Sequence, residues 1–281
     1  MPHVHITEYT DPGCPFAYSA EPFRQRLLWL YGEAVEWQVR MVGLSNSPDE
    51  YLQKGFDTKA QASSYKRLAH EYGMPIATHE RPRMHATVPA CRAVVAARRH
   101  APDRERLLLR RLRVRTFAGQ LLDEPDTIHG AARDAGLHPA ELDRWIAEPE
   151  NEDVLREDMR QARLPIPAAR ILDHKLANWS GGQRYTCPSY EIVRVEDGVR
   201  IAVPGFQPFE VYDVLLANLV PGLDRNPPPE SVEEVLRWTA TPLATKEVAV
   251  VCDVELDDAR ERLGQVAVEQ HVGFDGFWTL P

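Results

Sequence analysis

The residue best placed for chemistry is Cys14, which stands between a predicted strand and a predicted helix. Residues 3–9 alternate as a strand does, and the turn signal Asp11-Pro12-Gly13 follows. Pro15 then suits the first position of a helix. A sulfur at this junction lies among backbone N–H groups that have no helical partner, and this favours the thiolate. Because the thiolate is the form that attacks disulfides, we expect a nucleophile at Cys14.

A second cysteine precedes a proline in Cys187-Pro188, directly before strand character returns. Residues 189–195 and 199–203 read as two strands joined by a turn at Asp197-Gly198, so a hairpin is expected. The dipeptide therefore lies in a loop that enters a strand.

The elements that must position these residues change character along the chain. A helix is predicted from Pro15 until Gly32, a strand over residues 35–42, and helical periodicity alone from Ser47 to about Arg163. A last helix is expected over residues 209–219 before a proline-rich linker at 221–229. The expected division is residues 1–46, 47–163 as a helical insertion, 164–222, and 230–281 as an extension.

Residues 230–281 read as a small winged-helix-like unit. Helices are predicted over 231–238, 246–252 and 257–268, followed by strand character over 273–280. Winged helices often bind DNA, but this segment holds eleven Asp and Glu residues against four Lys and Arg residues. Because DNA binding rewards a positive surface, we expect the extension to serve in packing or in homo-oligomer formation.

Four motifs resemble the DsbA-like part of the thioredoxin superfamily, which includes FrnE-type dithiol-disulfide isomerases, 2-hydroxychromene-2-carboxylate isomerases and kappa-class glutathione transferases. The likeness covers about the first 220 residues. It implies an α/β protein with a thioredoxin-like fold and an all-helical insertion, to which the pattern of residues 230–281 adds a small C-terminal winged-helix-like extension. The matching segments are Asp11-Pro12-Gly13-Cys14-Pro15-Phe16-Ala17, His85-Ala86-Thr87, Cys187-Pro188 and Gly205-Phe206-Gln207-Pro208.

The resemblance implies roles for the residues around the two loops. Cys14 would be the nucleophile, and Pro188 would be cis and pack beside it. Two departures matter: Ala17 replaces the second cysteine of Cys-Pro-X-Cys, and Thr186-Cys187-Pro188 replaces the usual Gly-Val-Pro. Cys187 would then lie close to the Cys14 sulfur. It would either form a disulfide with Cys14 or only present its backbone to substrate, and the sequence leaves both readings open.

The substrate-binding residues that the resemblance suggests are Pro15, Phe16, Thr186, Pro188 and His85. His85 opens a predicted helix of the insertion, which caps the site in this fold. It would assist proton transfer or hold a ligand, or it is an ordinary half-buried histidine. A metal site of His85 with the two cysteines does not match a recognised zinc spacing, so no metal is expected.

The stretch from Arg98 to Arg115 holds the only basic cluster that stands out. It would attract an anionic ligand such as a thiol cofactor, or several of its arginines simply face solvent on helix surfaces. No tightly bound cofactor is expected, and a low-molecular-weight thiol is the candidate ligand. Partners would be protein or small-molecule thiols and disulfides.

The composition excludes several classes of protein. With 281 residues, 43% hydrophobic content and a net charge of −9, the chain suits a soluble globular protein that binds neither nucleic acid nor anionic membrane. Four widely spaced cysteines do not form a disulfide framework, and the N-terminus lacks the pattern of a signal peptide. We therefore expect a cytoplasmic protein.

Three functions are compatible with this sequence. The first is a DsbA-like thiol-disulfide oxidoreductase or isomerase, with Cys14 as the nucleophile and Cys187 or an external thiol as the resolving group. The second is a thiol-cofactor-dependent isomerase or transferase, which the absent motif cysteine suits. The third is a thioredoxin fold that no longer catalyses and only binds a peptide or a partner.

Overall fold

The computed structural model describes residues 1–179, 181–239 and 241–281. Its strands are β1 (Val4–Thr10), β2 (Val35–Met41), β3 (Ala177–Trp179), β4 (Gly182–Arg184), β5 (Ser189–Arg194), β6 (Arg200–Val203), β7 (Leu243–Ala244), β8 (Val268–Val272) and β9 (Asp275–Thr279). Its helices are α1 (Pro15–Ser19), α2 (Glu21–Tyr31), α3 (Asp49–Gln53), α4 (Thr58–Tyr72), α5 (Val88–His100), α6 (Glu105–Phe117), α7 (Pro125–Asp134), α8 (Pro139–Ile146), α9 (Pro149–Ala162), α10 (Pro167–Arg170), α11 (Phe209–Leu219), α12 (Val232–Thr239), α13 (Thr245–Cys252) and α14 (Leu256–Val266).

The central sheet has the strand order β2-β1-β5-β6. Strand β1 runs parallel to β2, with Val4 opposite Val35, and antiparallel to β5, with Val4 opposite Arg194. The apolar residues of β1 pack with α2 and α11 in a core that includes Ile6, Leu27 and Leu216. Because β1 is an inner strand, its end at Thr10 fixes the start of the following turn and helix.

The helix predicted from Pro15 to Gly32 is interrupted near its first turns. Helix α1 ends at Ser19, Ala20 joins the two segments, and α2 begins at Glu21. Pro22 lies at the start of α2 and has no backbone N–H to donate to the preceding turn. Gly32 follows the last residue of α2 at a φ of +46°, so the predicted stop is observed.

The block between β2 and β3 is helical throughout its regular structure, as the periodicity predicts. Its core centres on α5, where Val94 and Val95 pack with Leu108 and Leu112 of α6. Helix α5 begins at Val88, so His85 precedes the helix rather than opening it. Below this block, β3 and β4 form an antiparallel hairpin that the sequence analysis did not predict.

The C-terminal residues form three helices and a sheet of order β7-β9-β8. Strands β8 and β9 make a hairpin where a single terminal strand was predicted. Helix α13 packs along α2, and Ala244 and Phe277 join a core cluster with Tyr18 and Phe117. The extension is therefore packed against the first helices of the sheet domain, and the predicted domain boundaries remain predictions.

Candidate active site

Cys14 is the last residue before α1, at the end of the turn that leaves β1. Its backbone is extended, with φ of −82° and ψ of 116°, and Pro15 begins the helix. The turn is closed by a hydrogen bond from the Cys14 N–H to the carbonyl oxygen of Asp11 (3.2 Å). The side chain is only 5% exposed. The sulfur thus occupies the position at which free helix N–H groups favour an anion.

The loop of Cys187 lies directly against Cys14. The Cys187–Pro188 peptide bond is cis. The Cys14 thiol donates a hydrogen bond to the carbonyl oxygen of Cys187 (Sγ–O 3.2 Å), and both residues belong to one core cluster. Thr186 holds the loop from the other side, because its hydroxyl donates to the carbonyl oxygen of Lys175 (2.9 Å). The two cysteines therefore meet, and both are free thiols.

The surroundings of the two sulfurs shift their pKa values in opposite directions. Burial is the largest influence on Cys14 and raises its pKa, but hydrogen bonds from the Cys187 side chain and from the N–H groups of Ala17 and Phe16 lower the pKa below the ordinary value. The pKa of Cys187 is raised well above its ordinary value by burial, and the neighbouring Cys14 raises it further. Cys14 therefore ionises first, next to a protonated thiol.

A buried carboxylate, Asp11, organises the turn before Cys14. It accepts hydrogen bonds from the N–H groups of Gly13 (2.8 Å) and Leu44 (2.9 Å) and from the hydroxyl of Thr87 (2.9 Å). These contacts join the turn to the end of β2 and to the segment before α5. Burial raises the pKa of Asp11 despite these hydrogen bonds. The sequence predicted Asp11 only as a turn residue, and its position three residues before Cys14 was the available signal.

Aromatic side chains lie near Cys14 and the first residues of α1. Phe16 is 37% exposed and makes an edge contact with Tyr72, whose ring lies 4.8 Å from that of Phe206. Burial raises the pKa of Tyr51, and the nearby Asp11, Cys14 and Cys187 add to this rise. The sequence analysis identified Phe16 but missed Tyr51 and Tyr72, since single aromatic residues within helices resemble core positions.

Tyrosine side chains also support the loop of Cys187 from beneath. The rings of Tyr9 and Tyr185 stack at 4.4 Å, and both hydroxyls donate to the carboxylate of Glu191 at 2.9 and 2.8 Å. Tyr185 is fully buried and lies two residues before Cys187. Three elements, β1, the loop and β5, are thereby held in one fixed arrangement at the thiols.

Comparison with known proteins decides the family. Residues 5–164, more than half of the chain, match the family model of the DSBA-like thioredoxin domain. This chain belongs to the DSBA-like thioredoxin family. The predicted family and the predicted α/β thioredoxin-like fold are confirmed.

Individual relatives of this DSBA-like protein have two kinds of name. ClpXP adapter protein SpxH from Halalkalibacterium halodurans is 24% identical, and the match covers 98% of this chain and 88% of the relative. SpxH from Shouchella clausii is 25% identical over 96% of this chain and 84% of its own length. The cytosolic disulfide reductase DsbM from Pseudomonas aeruginosa matches in structure with a TM-score of 0.55, at 16% identity, over 77% of this chain and 100% of DsbM.

His85 lies within the DSBA-like domain but away from solvent. It is almost fully buried, and its Nδ1 atom lies 3.2 Å from the Arg81 guanidinium. Burial, followed by the charge of Arg81, lowers the pKa of His85 to about 3. The imidazole is therefore neutral near pH 7 and has no imidazolium proton to give. Whether it contacts a substrate stays a prediction.

Two arginines of the stretch from Arg98 to Arg115 neither face solvent nor offer a site for an anionic ligand. Arg110 and Arg113 of α6 point inward rather than toward solvent or a ligand. Arg113 pairs with Glu21 and with Glu8 (3.2 Å), and Arg110 binds both oxygens of Glu247 in the extension at 2.6 Å. These charges hold the sheet domain, the insertion and the extension together. The prediction that several arginines of this stretch face solvent does not extend to these two, because carboxylates distant in sequence converge on them.

Among residues 1–179, 181–239 and 241–281, no group of three or more His, Cys, Asp and Glu side chains has the arrangement of a metal site. Within the same ranges, no helix combines the length and the apolar character needed to cross a membrane.

Proposed function

We propose that this protein is a thiol-disulfide oxidoreductase or isomerase in which Cys14 is the nucleophile and Cys187, or an external thiol, is the resolving group. The observation that carries the proposal is the contact between the two cysteines, since the acidic thiol of Cys14 lies against the loop of Cys187. This contact supports Cys187 as a second thiol for the reaction, although Ala17 stands where the family motif has a cysteine.

In the first step the Cys14 thiolate attacks one sulfur of a substrate disulfide. A bond forms between Cys14 Sγ and that sulfur, the substrate S–S bond breaks, and the other substrate sulfur leaves with the electron pair as a thiolate. The hydrogen bonds to Cys14 from Ala17 and Phe16 stabilise the attacking anion in a site that is otherwise dry.

In the second step a thiolate of Cys187 attacks Cys14 Sγ in the mixed disulfide. Once Cys14 is covalently bound, its negative charge is gone, so one of the causes that raise the pKa of Cys187 disappears. The Cys14–Cys187 disulfide forms and the second substrate sulfur leaves as a thiolate. Two molecules of a low-molecular-weight thiol then reduce the protein disulfide and become one molecule of oxidised thiol.

This cycle suits the cytoplasm, where low-molecular-weight thiols keep cysteines reduced. All four cysteines of the chain are free in the structure. DsbM, the cytosolic relative in fold, was also solved with glutathione, at a TM-score of 0.52 to this chain. An external thiol of this kind is the proposed reductant.

The test is a disulfide-exchange assay combined with mass spectrometry of the native protein. Cys14→Ser should reduce exchange to the uncatalysed rate, whereas Cys252→Ser, at a half-buried cysteine of the extension, should leave it unchanged. Wild-type protein treated with one equivalent of a small disulfide should lose two protons at residues 14 and 187, and Cys187→Ala should stop at the mixed disulfide on Cys14. Full exchange by Cys14→Ser would end the proposal.

A second candidate function is a non-catalytic adapter. It is favoured by the SpxH relatives, because a match over 98% of this chain must include most of residues 230–281 as well as the thiol site. A ClpXP adapter would bind a protein and present it for degradation. The degradation rate of a bound protein by purified ClpXP should then rise when this chain is added, and Cys14→Ser should raise it equally.

A further inference from the structure

The segment between α9 and the loop of Cys187 carries positive charge in a negative protein. Residues 163–184 contain four basic residues and one acidic residue, a net charge of +3, whereas the whole chain has −9. We name the four cations, Arg163, Arg170, Lys175 and Arg184, the basic strip. The sequence analysis did not identify it, because the four residues are spread over 22 positions.

The cations of the basic strip have no carboxylate partner among the described residues. The arginines donate to backbone carbonyl oxygens instead: Arg163 to Met159 (2.8 Å), Arg170 to Pro165 (2.9 Å) and Arg184 to Tyr185 (2.7 Å). A carbonyl accepts a hydrogen bond but does not neutralise a guanidinium charge. This differs from Arg110 and Arg113, whose carboxylate partners are buried with them.

The basic strip is attached to the thiol site by packing and by hydrogen bonds. Ala162, Ala169 and Leu176 are buried in the same core cluster as Cys14 and Cys187. The backbone carbonyl oxygen of Lys175 accepts the hydroxyl of Thr186, the residue directly before Cys187. A molecule bound along the strip is thereby held next to the reacting sulfurs.

Exposed apolar side chains accompany the charges. Ile171 is 82% exposed, Leu164 is 51% exposed and Trp179 is 39% exposed, with the Arg163 guanidinium 5.0 Å from the Trp179 ring centroid. Such a mixture of cations and apolar groups suits a polypeptide with acidic and apolar side chains better than a small anion, which would need only the charges.

We propose that the basic strip is a docking surface for an acidic polypeptide segment, and that it selects protein substrates whose reactive cysteine is flanked by Asp or Glu and apolar residues. The inference deepens the proposed function, and its catalytic part rests on that function. The cations of the basic strip attract the acidic segment. The neighbouring Leu164, Ile171 and Trp179 contact its apolar side chains, and the substrate sulfur is presented to Cys14.

The probes are three synthetic peptides, each with one cysteine bound as a mixed disulfide to 2-thiopyridine and flanked by leucines. They differ only in having three Glu, three Gln or three Lys residues. Attack by the Cys14 thiolate forms a Cys14–peptide disulfide, and the thiopyridine sulfur leaves with the electron pair and is protonated to the absorbing thione. At low salt we expect the Glu peptide to react at least about tenfold faster than the Lys peptide, and the difference to shrink as salt is added.

The charge-reversed variant Arg170→Glu with Arg184→Glu should lose this preference, and the Gln variant at both positions should show an intermediate one. The matched control is Arg144→Glu with Arg156→Glu, which changes the net charge equally at two exposed arginines of α8 and α9 and should keep the preference. All variants should react with neutral 2,2′-dithiodipyridine at the wild-type rate, which shows that the thiol site is intact.

The outcomes separate the two proposals. Equal rates for the three peptides, with normal reaction of the neutral disulfide, would overturn the docking surface and leave the proposed function standing. If Cys14 reacts with no disulfide, the proposed function fails. A binding measurement then tests the docking surface separately. In this measurement, fluorescent Glu and Lys peptides with alkylated cysteines are titrated onto Cys14→Ser. Tighter binding of the Glu peptide supports the docking surface, and equal affinity overturns it.

Phosphatidylglycerol vesicles test a membrane contact. If the protein binds these vesicles through the basic strip and does not discriminate among the peptides, the docking surface is overturned in favour of a membrane contact.

Discussion

Two buried polar clusters lie near the first helices, and they differ in how their charges are balanced. The thiol cluster contains Cys14, Cys187 and Asp11, with hydrogen bonds from neutral groups only. The ion-pair cluster contains Arg24, Arg110 and Arg113 against the carboxylates of Glu8, Glu21 and Glu247. The first cluster has no charged partner for its titratable groups, whereas in the second every charge has a partner of opposite sign.

This difference in charge balance distinguishes the thiol cluster from the structural ion-pair cluster better than burial does. Both clusters are buried, and both contain groups that titrate. The thiol cluster holds a thiol with a lowered pKa next to one with a raised pKa, which is the arrangement that the proposed exchange requires. The paired charges link α2 and α6 to α13 across more than 200 residues of sequence. We therefore expect mutations in the ion-pair cluster to change stability and mutations in the thiol cluster to change reactivity.

The largest expected effect comes from removing a cation of the ion-pair cluster. Arg113→Met leaves the carboxylates of Glu8 and Glu21 buried with fewer partners, and breaking a buried pair in this way costs about 3–5 kcal/mol in the free energy of unfolding. Urea denaturation measures the loss. The pH dependence of Cys14 alkylation should stay as in wild type while the variant is folded.

The matched control is Arg144→Met, since the Arg144 side chain is 73% exposed and pairs weakly with Glu141 at 3.4 Å. It should change the free energy of unfolding by less than about 0.5 kcal/mol. A loss below about 1 kcal/mol for Arg113→Met, or a changed Cys14 titration, would contradict the division of roles between the two clusters.

His85 tests the same division with pH instead of mutation alone. Burial and Arg81 lower its pKa in the folded protein to about 3, whereas an unfolded histidine has a pKa of 6.5. Protons therefore bind the unfolded state preferentially between these values. The stabilisation is complete above pH 6.5 and is lost as the pH falls toward 3, at up to about 1.4 kcal/mol per pH unit. Urea titrations at pH 7, 5.5 and 4 measure this slope.

His85→Gln removes the titrating group and should flatten that slope. His138, at the start of α8, is exposed and serves as the control position, so His138→Gln should retain the wild-type slope. Exchange activity of His85→Gln at pH 7 should remain near wild type if the histidine is structural. A large loss of activity with unchanged stability would instead place His85 in the chemistry.

The sequence predicted the parts of the site that local patterns encode. The strand, the turn signal and Pro15 placed Cys14 before a helix, and the proline after Cys187 placed that residue in a loop before β5. Their contact across 173 residues was not encoded locally and came from the family resemblance. The β3–β4 hairpin was missed because its strands have three residues each, too few to show an alternating pattern.

Other features depended on pairing that no local pattern shows. The arginines of α6 stand among leucines at helical spacing, which is typical of a helix with one exposed face, yet Arg110 and Arg113 are buried because Glu21 and Glu247 come from elsewhere in the chain. Asp11 was likewise interpreted from its turn alone. The carboxylate of Asp11 accepts hydrogen bonds from Leu44 and Thr87, and only the tertiary structure brings these two residues close to Asp11.

The smallest expected effect sharpens the description of the thiol cluster itself. Cys187→Ala removes the side-chain hydrogen bond that lowers the pKa of Cys14, while the backbone N–H groups of Ala17 and Phe16 remain. The midpoint of Cys14 alkylation by iodoacetamide should therefore move to higher pH. Above both midpoints the alkylation rates of variant and wild type should agree within a few-fold, since the same thiolate reacts.

The control is Cys91→Ala, because the Cys91 thiol contacts Asp11 (3.5 Å) and has a pKa that burial raises well above its ordinary value. Removing it takes away a neutral thiol, so the Cys14 midpoint should stay near that of wild type. If Cys187→Ala also left the midpoint unchanged, the helix N–H groups alone would acidify Cys14. Cys187 would then act only after the mixed disulfide has formed, and the two sulfurs would be independent in the resting protein.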